Sequence, residues 1–525
     1  MNNVKIKNFQ LSLSDLVGKE YIEAVCKAKA VLEDQDSDIY LQIANEKVDF
    51  FPESFSKKID DLIEMAGKKV TDSFDNSSPG AATNAFKNAT STEMAPLSAM
   101  GFIRIGESGK VYLTTKSEHY HTPLGHSFPG YKLIENARKL GITNATHNNT
   151  RGHITRLLET ELIRIANGIV KGDKEKLQEV LSSSDERIIN KVLNLQTGSL
   201  AVEAALKMML ARFYKLDKNY PQPKYFGKIP VFFVVADNDG GKDANYHGTT
   251  ILTQILRDMW PDFYSALEAN NIFKVQQLKI NDLQDFLENV NKFENSNYKV
   301  AGFFHEIILM NYGGITLNKQ YLQNVYKICK EEDIPVIVDE IQSCLWSPEM
   351  FMFKEYNLKP DFVSVGKGFP GGEYPASKLL TNAKMDSLNL FGALVTNGQE
   401  ELASLSYLIT IAFAEENKEY IQQIGNYYET QIKELSKKHN DIITDVEGSK
   451  HMTTLFFKTK DETIEFVNYL KNNGIDISAQ TYKKNCPPSA LTKIPLISSY
   501  KMIDFIIQNM NEALHSIKIT EHVLK

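Results

Sequence analysis

Between about residue 190 and residue 370, short apolar runs alternate with longer stretches whose apolar positions recur every three or four residues. The runs 231–236, 300–308, 335–339 and 362–365 show no polar alternation, which predicts strands covered on both faces. The stretches 198–214, 318–332 and 400–437 predict helices. Strand–helix alternation over this length predicts an α/β fold with a mostly parallel, doubly wound sheet.

The ends of the chain read differently. Residues 11–33 and 54–70 predict helices, and 71–99, rich in Ser, Asn, Thr and Ala, predicts a loop or linker. Beyond about 440 the pattern gives a strand at 451–459, a helix at 461–474, a polar stretch containing Pro487 and Pro488, and a last helix at 499–517. The expected division is an N-terminal extension (1–109), a segment leading into the main fold (110–190), a large domain (191–435) and a small α+β domain (436–525).

Composition narrows the class. A chain of 525 residues exceeds what one core holds, so several packed domains are expected. A net charge of −7 offers no large basic surface, so neither nucleic acid nor an anionic membrane is an expected partner. There is no run of eighteen apolar residues, and the first residues lack the apolar stretch of a signal peptide. Four cysteines far apart suit reduced thiols better than a disulfide or zinc framework. A cytoplasmic protein is the expectation.

Four local features carry candidate chemistry. Lys367 sits among glycines (Gly366, Gly368, Gly371, Gly372) directly after the 362–365 run. There the backbone lets a flat ligand approach, and a partly desolvated lysine amine can act as a nucleophile. Asp339 closes the 335–339 run, at the carboxyl end of a predicted buried strand where open α/β sheets bind ligands. A carboxylate buried there needs a cation or strong donors, although capping the next turn is its commoner role. Thr197-Gly198-Ser199 precedes a strong helix former and offers free N–H groups and hydroxyls to a phosphate; it also reads as an ordinary helix cap. Tyr246 and His247 follow the 231–236 run, where an aromatic can stack on a planar ring.

In this order the features resemble the class III aminotransferases, pyridoxal 5′-phosphate (PLP) enzymes of fold type I. Leu124-Gly125-His126-Ser127-Phe128-Pro129-Gly130, Thr197-Gly198-Ser199 with Glu203-Ala204-Ala205, Tyr246-His247-Gly248, Asp339-Glu340-Ile341-Gln342 and Pro360 to Gly368 match the family's motifs in sequence. The resemblance implies a large PLP-binding domain and a small C-terminal α+β domain. It implies that Lys367 holds PLP covalently and moves the proton, and that Asp339 pairs with the ring nitrogen. Thr197, Gly198 and Ser199 would grip the phosphate, Tyr246 would stack on the ring beside His247, and Gln342 would bond the ring hydroxyl. Thr396 would reach the phosphate of a neighbouring subunit, which implies a homodimer. The implied reaction moves an amino group, a terminal one by expectation, between an amine or amino acid and a keto acid or aldehyde. An aminomutase or epimerase of the same family, or a PLP-binding interaction protein without catalysis, is the alternative.

The departures concern the substrate. Ser343-Cys344-Leu345-Trp346-Ser347 replaces the family's Thr-Gly-Phe-Gly-Arg, Ile307 follows Glu306 where the family has proline, Leu200 stands for glutamate and Asn397 for an aromatic. Thr249 stands where many members carry a carboxylate-reading arginine, and no arginine follows Arg257. Lysine does not reproduce the two-pronged guanidinium contact. Carboxylate recognition is therefore expected from Arg104 or Arg151, or the amine substrate lacks an α-carboxylate. Arg156 and Arg164 read as helix-surface residues.

Overall fold

The computed structural model describes residues 4–116, 122–145, 149–481, 483 and 485–523, with side chains to residue 517. Its centre is a sheet of seven strands: β1 (Ile189–Leu195), β2 (Ile229–Val235), β3 (Lys274–Leu278), β4 (Tyr298–His305), β5 (Val336–Asp339), β6 (Phe362–Val365) and β7 (Ser377–Asn382). Their spatial order is β1-β7-β6-β5-β4-β2-β3. The pairings among β3, β2, β4, β5 and β6 are parallel, while β7 runs antiparallel to both its neighbours. The mostly parallel, doubly wound α/β sheet is as the sequence predicts.

Why these runs are apolar throughout is visible in the packing. Phe232, Val234, Phe304, Ile337 and Phe362 point to one core, shared with the helix Gly198–Leu210. Their alternates Val231, Phe233, Phe303, Val338 and Val363 point to the opposite core. With both faces buried, alternation loses its meaning as a signal.

The sequence pattern missed β1, β3 and β7. The first two are the sheet's edges and carry polar residues (INKVLNL and KVQQL), so no uninterrupted apolar run marks them. In β7, Lys378 and Thr381 are buried polar residues that hydrogen-bond to backbone carbonyls. The predicted helix 198–214 ends at Leu210. The stretch 400–437 is two helices, Glu401–Glu416 and Lys418–Lys438, parted at Asn417. The carboxamide oxygen of Asn417 there accepts the Lys7 N–H at 2.7 Å.

Residues 11–33 form two helices, Leu13–Val17 and Lys19–Glu33, broken at Gly18; an unforeseen third, Ser37–Asn45, follows. Helix Glu53–Asp61 continues only as a 3₁₀ turn to Met65, short of the expected residue 70. The supposed linker 71–99 contains the short helix Asn84–Ala89 and the strand Pro96–Met100. That strand joins Ile103–Gly106, Val111–Thr114 and, from the far end of the chain, Ile475–Asp476 in one sheet. The fully buried Arg104 fastens it through an ion pair with Asp476. Beside it lies a four-stranded antiparallel sheet of Ile443–Ser449, Met452–Phe457, Ser489–Lys493 and Ser478–Gln480. Helix Tyr500–Val523 closes the chain.

Candidate active site

The site lies at the carboxyl ends of β4, β5 and β6. Asp339, the last residue of β5, stands opposite Ser364 of β6 and is 3% exposed. One carboxylate oxygen accepts the Ile341 N–H at 3.1 Å and the Ser364 hydroxyl. The other lies 3.3 Å from His247 Nδ1. Three donors thus keep a buried carboxylate in place, as its desolvation requires. Lys367 follows β6 by two residues, half-buried, with a backbone φ of +28°. A residue other than glycine rarely accepts such a conformation, and strain of this kind gathers at functional sites.

Three distant segments meet here. Ile341 is the floor: a Cβ on Gly198 would come within 2.9 Å of its Cδ1, and one on Gly366 within 2.6 Å. The turn before Lys367 and the Thr197-Gly198-Ser199 turn therefore rest on the same side chain. Thr197 caps the helix Gly198–Leu210, its hydroxyl accepting the Leu200 N–H at 3.4 Å. The Ser199 hydroxyl accepts the Thr249 N–H at 3.0 Å. Gly248 has φ +131°, and a Cβ there would lie 2.6 Å from Ser199 Cα, so the Tyr246-His247-Gly248 segment can close on the turn only with glycine. Tyr246 is half-buried next to this contact.

Other expected residues fall as follows. Gln342 is buried, and its carboxamide oxygen has no partner among the described residues; the same holds for His247 Nε2. Thr396 is exposed, on a turn whose Gly398 lies against the Asn194 carbonyl. Arg104 is not a substrate clamp. It is buried and committed to Asp476, Thr114 and the Met94 carbonyl. Arg151 is more than half exposed and pairs with Glu159 at 3.2 Å. Arg156 is exposed on helix His153–Ala166, while Arg164 is buried and paired with Glu161 and Glu415.

Sequence reasoning overlooked four groups. Ser364, the lone polar residue of β6, was legible as such and holds Asp339. Glu306, one residue past β4, is fully buried with both carboxylate oxygens unpartnered among the described residues. Burial first, and the Asp339 charge next, push its carboxyl well above the usual range. Lys493 reaches in from the C-terminal part, 0% exposed. Its amine donates to the Gln342 carbonyl and sits 3.7 Å above the Trp346 ring. Lys483 donates to the Asp243 carbonyl. No local motif marks either lysine.

These residues fit PLP. A helix N-terminus with its N–H groups, a floor at Ile341, an aromatic at Tyr246, a fixed carboxylate at Asp339, an amine at Lys367 and the unpartnered Gln342 acceptor match the groups of a phosphorylated, hydroxylated pyridine aldehyde.

A sequence model of the aminotransferase class-III family matches residues 98–514. An acetylornithine aminotransferase of Aquifex aeolicus is 27% identical over 248 residues, 47% of this chain and 60% of that protein. The chain thus spans about three fifths of the length of that relative. The adenosylmethionine-8-amino-7-oxononanoate aminotransferase of Staphylococcus aureus is 25% identical over 436 residues, 74% of this chain and 89% of that one. Among solved structures, ornithine aminotransferase of Toxoplasma gondii, with PLP in its active site at partial occupancy, superposes with a TM-score of 0.61 at 17% identity. It covers 84% of this chain and 99% of its own, a likeness of fold.

Proposed function

The chain belongs to the class-III aminotransferase family, and on that premise we propose that it transfers an amino group between an amine or amino acid and a keto acid or aldehyde, using PLP. The observation that carries this reading is the pair Asp339 and Lys367 at the ends of adjacent parallel strands, with the carboxylate already fixed by Ser364, His247 and the Ile341 N–H. PLP, when bound, supplies the carbonyl that receives the amino nitrogen and a ring that draws electrons from the neighbouring carbon.

The chain's own residues do the rest. Lys367 Nζ would bind the cofactor and carry the proton to and from the reacting carbon. Asp339 would keep the ring nitrogen protonated, and His247 and Ser364 hold that carboxylate in register. Thr197, Gly198 and Ser199 would hold the phosphate, Gln342 would bond the ring hydroxyl, and Tyr246 would stack on the ring. Burial and the Asp339 charge favour the protonated form of Glu306 beside that carboxylate. Preference for a terminal amino group is part of the proposal.

Thr396 serves the phosphate of a second copy, in a homodimer. Exposure of Leu390 and Phe391, at 68% and 83%, on the same loop supports a surface that another subunit covers. Four buried, free cysteines support a cytoplasmic setting. The working division remains 1–109, 110–190, 191–435 and 436–525, with the first and last segments sharing a sheet.

The test is reconstitution of the purified protein with PLP, borohydride reduction and peptide mapping, then an amine-donor screen that reads conversion to the pyridoxamine form. An adduct on Lys367 and conversion by at least one donor are expected. A colourless protein with no adduct on Lys367 ends the reading.

A further inference from the structure

Lys367 stands between two glycines, and both close against a single segment of chain. A Cβ on Gly366 would meet Ile341 Cδ1 at 2.6 Å, and one on Gly368 would meet Trp346 Cζ3 at 2.7 Å. The Cys344 thiol donates to the Gly366 carbonyl at 3.6 Å. Burial pushes the pKa of that thiol up to about 12, so it keeps the proton it donates. Residues 341–346 therefore back the chain on both sides of Lys367. Its φ of +28° is a conformation that survives only where the surroundings over-determine it.

The same segment is gripped from the C-terminal sheet. Trp346 is 0% exposed, and its Nε1–H donates to the Ile494 carbonyl at 3.0 Å. The amine of Lys493, the last residue of strand Ser489–Lys493, lies 3.7 Å from the centre of the Trp346 ring and donates to the Gln342 carbonyl. The Lys493 N–H donates to the Thr115 carbonyl at 2.7 Å, which ties this contact to the N-terminal part as well. A methionine of similar length would fill the place without desolvating a charge, so packing alone does not call for lysine. An ammonium set over an indole face, with a carbonyl in reach, fixes a direction that an apolar side chain leaves free. Trp346 and Cys344 both stand where the family pattern has glycine, so the arrangement is this chain's own.

We propose that Trp346 and Lys493 are positioning residues for Lys367: the indole backs the turn that carries this lysine, and the buried ammonium holds the indole and the Gln342 carbonyl in register. The inference deepens the proposed transamination and rests on it. The C-terminal sheet thereby sets the angle at which Lys367 presents its amine, without touching the reacting atoms.

The test uses the full-length, PLP-loaded protein and reads circular dichroism in the visible band of the bound cofactor. PLP is achiral, so that signal reports its fixed orientation on Lys367. Lys493→Met and Trp346→Leu are each expected to lower the signal per bound PLP by about half or more, and to speed loss of PLP to a scavenger by about fivefold or more. Trp346→Phe keeps a ring beneath the ammonium and loses only the Ile494 bond, so it is expected to fall between these and wild type; it decides the matter where the other two do not fold. Signal per bound PLP and rate of PLP loss at wild-type values in the folded variants overturn the inference. A lower urea midpoint alongside those unchanged values overturns it too, and assigns the pair to packing. A wild type that forms no borohydride adduct on Lys367 overturns the transamination and this inference with it, whereas normal wild-type loading with unmoved variants overturns the inference alone.

Discussion

Asp339 makes sense only with its three donors. A hydrogen bond to a charged group contributes about 1.5–3 kcal/mol, so Ser364→Ala should slow amine turnover roughly 10- to 100-fold while leaving PLP loading intact. Measured turnover within twofold of wild type would refute the positioning role of that hydroxyl. Lys367→Ala is the stronger case: no borohydride adduct, and turnover reduced by about three orders of magnitude or more, since no other group replaces a covalent nucleophile. At this scale much was legible. Asp339, Lys367 and the Thr197–Ser199 turn stand out because each ends or begins an element that the apolar pattern reveals. Lys483 and Lys493 were not, because their positions depend on loops and sheets brought close from 150 or more residues away.

Elements are tied together by buried charges that periodicity does not report. Helix His153–Ala166 starts at Gly152, which has no side chain to cap it. Instead the carboxylate of Glu401, on another helix, accepts the Ile154 N–H at 2.9 Å, the Thr155 N–H at 3.1 Å and the Thr155 hydroxyl at 2.8 Å. Glu401→Ala strands those donors and should cost about 2–3 kcal/mol, read as a lower urea midpoint with an unchanged slope. Asp333, in the connection before β5, binds Arg212 at 2.5 Å, Lys224 at 2.7 Å and Lys384 at 2.7 Å. Although burial alone would raise its pKa, these bonds and that of Tyr225 hold the carboxyl well below the carboxylate range. A depressed native pKa gives stability that is complete above the unfolded value near pH 4 and declines as pH falls further. Asp333→Asn should therefore flatten the loss of stability below about pH 4. Equal acid sensitivity in variant and wild type would contradict the link.

Over the whole molecule, the sequence pattern located the central sheet from its inner strands, and its edges escaped because water-facing residues break the run. The union of the two chain ends was not legible at all, since pairing of Val111–Thr114 with Ile475–Asp476 leaves no trace in either segment. Its fastening is the Arg104–Asp476 pair, at 0% and 2% side-chain exposure. Removing one partner of such a pair leaves a buried charge, so Asp476→Asn should cost about 3–5 kcal/mol in equilibrium denaturation. A loss below about 1 kcal/mol would show that the pair is dispensable.

That shared sheet sets a timetable for synthesis. The strand Val111–Thr114 and its partner Ile475–Asp476 are separated by 360 residues. At about 5–20 residues per second, the first waits roughly 20 to 70 seconds on the ribosome before the second exists. Until then its outer rim has bare N–H and C=O groups, and the Arg104 guanidinium lacks its acid. Through that interval water is the partner left to the strand edge and the guanidinium, and slower translation lengthens the exposure.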